Sequence, residues 1–297
     1  PARELGVPRL DIVLPLDKPE GPTSHDVVAM ARKALGIRRV GHTGTLDPFA
    51  SGLLLLCIGK ATRLAEYFTG LAKSYDAVAR LGITTDTEDR DGEPGEERPG
   101  WADLKRDAVV TAMQAFKGDI DQVPPQFSAK KVDGVAMHRR ARRGEHVDLA
   151  ARQITVHELE LRSLDLPFME FRVCCSTGTY VRSLARDIGE ALGVGAHLTG
   201  LRRTSIGSHT LEQAITPSQL EDPEVVSRAA LSPLEALGHL PAVVVDEQGR
   251  DRLAFGQTVD APETADGGHV AVEYDGRLVA IARVRDGALR PEKVFLP

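Results

Sequence analysis

Apolar residues along the 297-residue chain fall into short blocks with two different periods. Residues 11–16 read as a strand that enters a turn at Lys18-Pro19-Glu20-Gly21-Pro22. Ser24 then caps a helix reaching about Leu35, with Gly36 as its stop. A Gly/Thr-rich loop over 41–48 precedes the apolar run 53–58, which Gly59 breaks before a helix over about 62–68. Residues 74–81 alternate in part and predict a strand, and 101–116 show helical periodicity. Strands follow over 154–161 and 169–175, then an amphipathic helix over 179–192. Past a boundary near Gly238 to Pro241, three short strands at 243–245, 270–274 and 278–284 are separated by glycine-containing turns. This order lacks a regular βαβ alternation, so the fold class is α+β, with a large domain over 1–237 and a small β-rich one over 238–297. About 60 residues are marginal alone and viable when docked.

Composition changes this picture at one point. The net charge of −6 argues at first against nucleic acid as a partner. The charge is uneven, however: residues 218–297 hold 8 basic and 14 acidic side chains, and the preceding 217 are neutral. Within that neutral part, Lys130, Lys131, Arg139, Arg140, Arg142 and Arg143 face Asp133 alone, a local patch suited to phosphate contact. Residues 84–100, with seven acids, two prolines and three glycines, read as a solvated loop. Cys57, Cys174 and Cys175 show neither metal-ligand spacing nor a disulfide framework, which fits a reducing cytosol. The longest apolar run is far below the roughly 20 residues a membrane span needs, and the start shows no leader pattern. The expectation is a cytoplasmic protein.

Candidate chemistry begins at Gly41-His42-Thr43-Gly44-Thr45-Leu46-Asp47-Pro48. A carboxylate on a rigid loop before a buried strand can act as nucleophile or base, although an Asp-Pro pair can also just cap a turn. The loop lacks the Gly-Lys-Ser/Thr ending of a triphosphate cradle. Arg182 stands at a helix start, where a cation opposes the macrodipole; a buried carboxylate partner would explain it, and a solvated arginine is the alternative. Arg186 and Asp187 read as a surface or inter-helix ion pair. Tyr75 is a strand aromatic, His42 a loop histidine, and nothing in their spacing assigns either a role.

Five stretches in order carry a resemblance. They are Leu16-Asp17-Lys18-Pro19 with Gly21, Thr23 and Ser24; the loop Gly41 to Pro48 continued by Ala50-Ser51-Gly52-Leu53-Leu54; Lys73 and Tyr75 with Leu81-Gly82, Thr85-Asp86-Thr87 and Asp89; Gly178-Thr179-Tyr180-Val181-Arg182-Ser183-Leu184 with Asp187-Ile188-Gly189; and Leu201-Arg202-Arg203-Thr204. Together they resemble the TruB family of bacterial tRNA pseudouridine synthases over nearly the whole chain. The resemblance implies an α+β catalytic domain with a mixed, mainly antiparallel sheet flanked by helices, and a small PUA-like C-terminal domain. It implies an isomerase that flips the T-loop uridine at position 55 from its stack and converts it to pseudouridine, with no cofactor and no metal. In that family Asp47 would be the catalytic carboxylate, Arg182 its ion-pair partner, and Tyr75 the ring that stacks on the base and takes the C5 proton. His42 would wedge into the T-loop, and Tyr180 and Leu201 would line the pocket. Lys18, Lys130, Lys131, Arg139 and Arg142 would contact the RNA, the last four within an insertion at about 124–150. The partner would be the T-arm of tRNA, met by a monomer without a protein partner. Met137 and His138 stand where the family commonly has a tyrosine. Two alternatives remain: a tRNA-folding chaperone, alone or alongside catalysis, and a related synthase that works within a guide complex.

Overall fold

Four consecutive leucines conceal an alternation that the structure resolves. The computed structural model describes residues 10–127, 131–132, 135–136, 147, 149–262 and 267–295. In it β1 (Ile12–Lys18) pairs antiparallel with β3 (Ser51–Ile58), and a short β2 (Val40–His42) pairs with the same strand. Leu54, Leu56 and Ile58 pack with Val27, Val28 and Ala31 of α1 (Ser24–Leu35). Leu53, Leu55 and Cys57 turn to the opposite face, where Phe68 and Leu64 cover them. A strand covered on both sides must be apolar throughout, which is why 53–58 show no polar interruption. Helix α1 ends as expected at Gly36, in the left-handed region at φ 65°. Its cap differs from expectation. Thr23 accepts from the Asp26 amide, and the Asp26 carboxylate accepts in return from the Thr23 amide. Ser24 is drawn elsewhere, as described below.

The main sheet continues through β4 (Lys73–Leu81), β5 (Gly118–Gln122), β8 (Arg152–Asp165), β9 (Phe168–Cys175) and β10 (Ala196–Ile206), in the order β1-β3-β10-β4-β9-β8-β5. All of these pairings are antiparallel except β3 with β10. Strand β10 was not expected from the sequence. Two glycines flank its start and an Arg-Arg pair sits in its middle, so no alternation marks it. Between β4 and β5 runs α3 (Arg106–Gln114), after the short α2 (Ala65–Thr69); α4 (Val181–Ala191) buries Val181, Leu184, Ala185 and Ile188 on one stripe against β10 and β4. A two-residue pair, β6 (Lys131–Val132) with β7 (Val135–Ala136), is all that is described between 128 and 146.

A second, five-stranded sheet takes every strand from beyond residue 241: β11 (Ala242–Val244), β13 (His269–Tyr274), β14 (Arg277–Arg285), β15 (Ala288–Val294) and β12 (Val259–Asp260). Ala271, Leu278 and Ile281 of this sheet share one core with Val13, Leu53 and Phe68. The small sheet is thus docked on the back of β1 and β3, away from the loop that follows β2. Mixed α+β architecture with mainly antiparallel sheets matches the expected fold class. No helix among the described residues is long and apolar enough to cross a membrane.

Candidate active site

The loop from Thr43 to Ala50 is pinned at both ends before any functional group is considered. Ser24 accepts from the Leu46 amide at 2.9 Å and donates to the Leu46 carbonyl at 3.2 Å, so it serves the loop rather than the helix end. The Pro48 carbonyl accepts from the Gly21 amide at 2.8 Å and from the Lys18 ammonium at 3.4 Å. Asp47 lies between these anchors with its side chain 38% exposed. Its Oδ2 stands 3.0 Å from Nε of Arg182. The partner that the sequence asked for at the start of α4 is therefore present.

Arg182 is the hub of the site. Its side chain is 4% exposed, yet four groups converge on it. Besides Asp47, the Asp89 carboxylate lies 3.3 Å from Nη1, while Nη1 donates to the Thr87 carbonyl at 2.7 Å and Nη2 to the Phe127 carbonyl at 2.9 Å. Asp89 is itself held by the Thr87 hydroxyl at 2.6 Å and the Asp91 amide at 3.1 Å. Burial pushes its carboxyl above the usual aspartate range, against the pull of the Thr87 hydrogen bond and of Arg182. The neighbouring Glu88 sits at φ 64°, in the left-handed region that non-glycine residues rarely adopt. Ser183 and Arg186 of α4 both bind its carboxylate, and burial likewise raises its pKa. Arg186 also pairs with Asp187 at 2.8 Å, so the expected ion pair exists and a second, cross-element one accompanies it. The segment 84–100 is consequently not solvated throughout, since Glu88 and Asp89 are both buried. An average over seven acids cannot reveal which two turn inward.

Asp47, Tyr75, Tyr180, Arg182 and Leu201 line one cavity of 230 Å³, with Lys73 and Arg203 in its wall. That volume lies below the roughly 300–1,000 Å³ of sites for drug-sized ligands, a scale that suits a single planar base. Tyr75 projects from β4 on its inward register and is 8% exposed. Burial pushes its phenol pKa up, with Arg203 pulling the other way by charge and by a side-chain hydrogen bond. Gln122 of β5, 2% exposed, clasps the Tyr180 backbone from both sides, at 2.8 and 3.0 Å, and so fixes the start of α4. Neither Gln122 nor Asp89 was given a role among the site residues: Gln122 lacks any local signal, its contact lying 58 positions away, while Asp89 closes the third motif but meets Arg182 from 93 positions away.

His42 and Lys18 lie outside the cavity lining. The His42 ring packs edge-on against His25 at 5.4 Å and accepts from the Gly44 amide at 3.3 Å; burial lowers its pKa, helped by His25 and Arg203. Lys18 revises an expectation. It is fully buried, with its ammonium donating to the carbonyls of Pro19, Pro22 and Pro48, so it braces the Asp47 loop from inside and is not on the surface. Burial lowers its pKa to about 8, although Asp47 works against that shift. Lys130, Arg139 and Arg142 lie outside the described residues, and Lys131 is described only as part of β6.

Comparison with known proteins covers the same segments of the chain. Residues 32–181 match the N-terminal domain model of TruB family pseudouridylate synthase, and 182–237 match the tRNA pseudouridylate synthase B C-terminal domain. A tRNA pseudouridine synthase B of Cupriavidus metallidurans is 45% identical, covering 97% of this chain and 96% of the relative. One from Burkholderia lata is 46% identical over 98% and 92%. Among solved structures, a Cbf5-Nop10-Gar1 complex superposes with a TM-score of 0.75 at 29% identity, covering 100% of this chain and 88% of that one. An H/ACA RNP bound to a substrate RNA containing 2'-deoxyuridine matches equally, over 97% and 86%.

Proposed function

The chain belongs to the TruB family of pseudouridylate synthases, and on that footing we propose that it converts uridine 55 in the T-loop of tRNA to pseudouridine. The observation that carries this reading is the Asp47–Arg182 pair at a base-sized cavity beside the Tyr75 ring. The reaction breaks the N1–C1′ bond, turns the uracil, and joins C5 to C1′. A proton leaves C5 and one is gained at N1, so the atoms balance. Asp47 can serve by attacking C1′, attacking C6, or removing the C2′ proton. Arg182, locked by Asp89 and two carbonyls, holds the carboxylate in one orientation for any of these. A loss of such orientation alone costs about 10²-fold in rate.

Extruding the base costs a few kcal/mol, and stacking on an aromatic returns about 1–3 kcal/mol. In this reading Tyr75, in the cavity lining, supplies that floor and accepts the C5 proton, and His42, outside the lining, wedges into the stack the base leaves. An aromatic floor permits the base to turn, which a fixed set of base-edge hydrogen bonds would resist. The curated relatives near 45% identity are named tRNA pseudouridine synthase B, whereas the chains from the H/ACA RNP and the Cbf5-Nop10-Gar1 complex stand at 29%, which favours a monomer acting alone on the T-arm in the cytoplasm.

The test is tritium release from T-loop RNA labelled at C5. The wild type should release label stoichiometrically. Asp47→Asn should release none while binding RNA within about 2-fold of wild type, since the change removes a group used in the chemical step. Turnover by Asp47→Asn at the wild-type rate would overturn the assignment. Refolding of misfolded tRNA by the same variant separates a chaperone activity, which should persist, from catalysis.

A further inference from the structure

Three cations around the cavity are buried without an ion-pair partner among the described residues. Arg203 is 1% exposed, Lys18 fully buried and Lys73 8% exposed. Lys18 belongs to the loop brace described above. Arg203 and Lys73 face the cavity itself. Arg203 donates from Nε to the Leu53 carbonyl at 2.7 Å and from Nη2 to the Gly44 carbonyl at 3.1 Å, and its charge acts on the Tyr75 phenol. The Lys73 ammonium donates to the carbonyls of Thr69 and Leu71, at 3.1 and 2.8 Å. Carbonyls satisfy N–H groups but do not cancel a full charge. A buried cation without a counter-ion is costly, and a neutral donor could make the same hydrogen bonds without that cost.

The two carboxylates nearby do not resolve the imbalance. Asp47 and Asp89 both pair with Arg182, which leaves Arg203 and Lys73 as surplus positive charge. A β-sheet that keeps two such charges on adjacent strands, β10 and β4, at the wall of one cavity is preorganised for an anion. Resting on the proposed reaction, the candidate anion is the base itself. When N1–C1′ breaks, the bond pair stays on N1 and the charge spreads to O2 and O4 of the detached uracil. When C5 joins C1′, that pair is used in the new bond, and the C5 proton departs. We propose that Arg203 and Lys73 stabilise the detached uracil anion, holding it in the cavity while it turns. The Arg203 contact with Tyr75 extends the same field to the group that receives the C5 proton, consistent with the opposition between burial and Arg203 on that phenol.

The experiment compares two RNAs in single turnover: one with uridine at the target position, one with 5-fluorouridine. Fluorine withdraws charge, so its base is already the more stable anion and needs less help from the pocket. For Arg203→Met, consumption of the target uridine should fall about 10²-fold or more, while loss on the 5-fluorouridine RNA should stay below about 10-fold. Lys73→Met should show the same inequality to a smaller degree, and it carries the test if Arg203→Met fails to fold. Arg203→Lys, which keeps the charge, should recover most of the uridine rate. Equal losses on both RNAs would overturn the proposal and mark the pair as structural. A loss confined to RNA affinity that steepens with salt would also overturn it, pointing to a phosphate contact instead. Wild type without any pseudouridine product would defeat the proposed function itself, a separate outcome visible in the same assay.

Discussion

Arg182 ties four chain segments to one guanidinium: the Asp47 loop, Thr87 and Asp89, Phe127, and its own helix α4. Its partners are not equivalent. Asp47 is partly exposed and, in the proposed reaction, meets the substrate, while Asp89 is buried and held by Thr87 and Asp91. Asp89 therefore acts as the fixed end of the arrangement and Asp47 as the working end. Asp89→Asn should leave RNA affinity within about 2-fold and lower the single-turnover rate about 10²-fold, the loss expected when a reacting group keeps its identity but not its aim. The same variant should alter the acid edge of activity. Burial raises the Asp89 carboxyl, so it takes up a proton at a higher pH than an ordinary aspartate as the solution is acidified. Arg182 then loses a partner and the rate falls. A pH–rate profile of wild type should show this acid limb, and Asp89→Asn should lack it.

Among the elements, the crossing of β3 and β10 decides whether the site can form. Gly52 takes φ 107°, and a Cβ there would stand 2.2 Å from the Arg203 carbonyl oxygen. The close approach lets Arg203 pair in register with Gly52 and sends its side chain under the Asp47 loop. Gly52→Ala must both strain the backbone and push β10 away. It is expected to cost at least about 2 kcal/mol by thermal unfolding and to lose activity beyond what that instability explains. The start of α1 offers a contrast. Thr23→Ala removes a helix cap and should cost about 1 kcal/mol with activity retained. Ser24→Ala, one residue on, removes the two bonds to Leu46 and should lower activity more than stability.

For the molecule as a whole, the joint between the two sheets is aromatic and imidazole-rich. His209 and His239 pack edge-on against Phe68 at 5.9 and 5.7 Å, and His209 bonds the Ala236 carbonyl. Burial lowers both histidines from the ordinary value of 6.5. The unfolded chain then binds protons that the folded chain refuses, so stability is fully present above pH 6.5 and is lost as the pH falls below it. Thermal unfolding should show a falling midpoint from pH 6.5 downward, and the double variant His209→Gln, His239→Gln should flatten that slope. An unchanged slope would place the acid sensitivity elsewhere. Charge is likewise partitioned at this scale: residues 242–297, which build the sheet docked behind β1 and β3, carry 10 acidic and 7 basic side chains, and 218–241 supply the rest of the acidic excess.

Local order was legible in the sequence wherever a residue's environment repeats along the chain. The strand at β4 announces itself by alternation, α4 by its apolar stripe, and the end of α1 by Gly36, because each pattern follows from backbone geometry alone. The Gly41–Pro48 loop and the cation at 182 stood out as chemistry without an explanation, and the family motifs supplied expected roles. What the sequence could not hold is the set of partners. Glu88 and Asp89 differ from their acidic neighbours only in pointing inward, Lys18 differs from a surface lysine only in being covered, and β10 carries no alternation because its neighbours on both sides define it. Burial and pairing are relations between segments far apart in the chain. Tertiary structure therefore decided which charges are compensated, and Arg203 and Lys73 emerge as cations of the cavity wall without an ion-pair partner among the described residues.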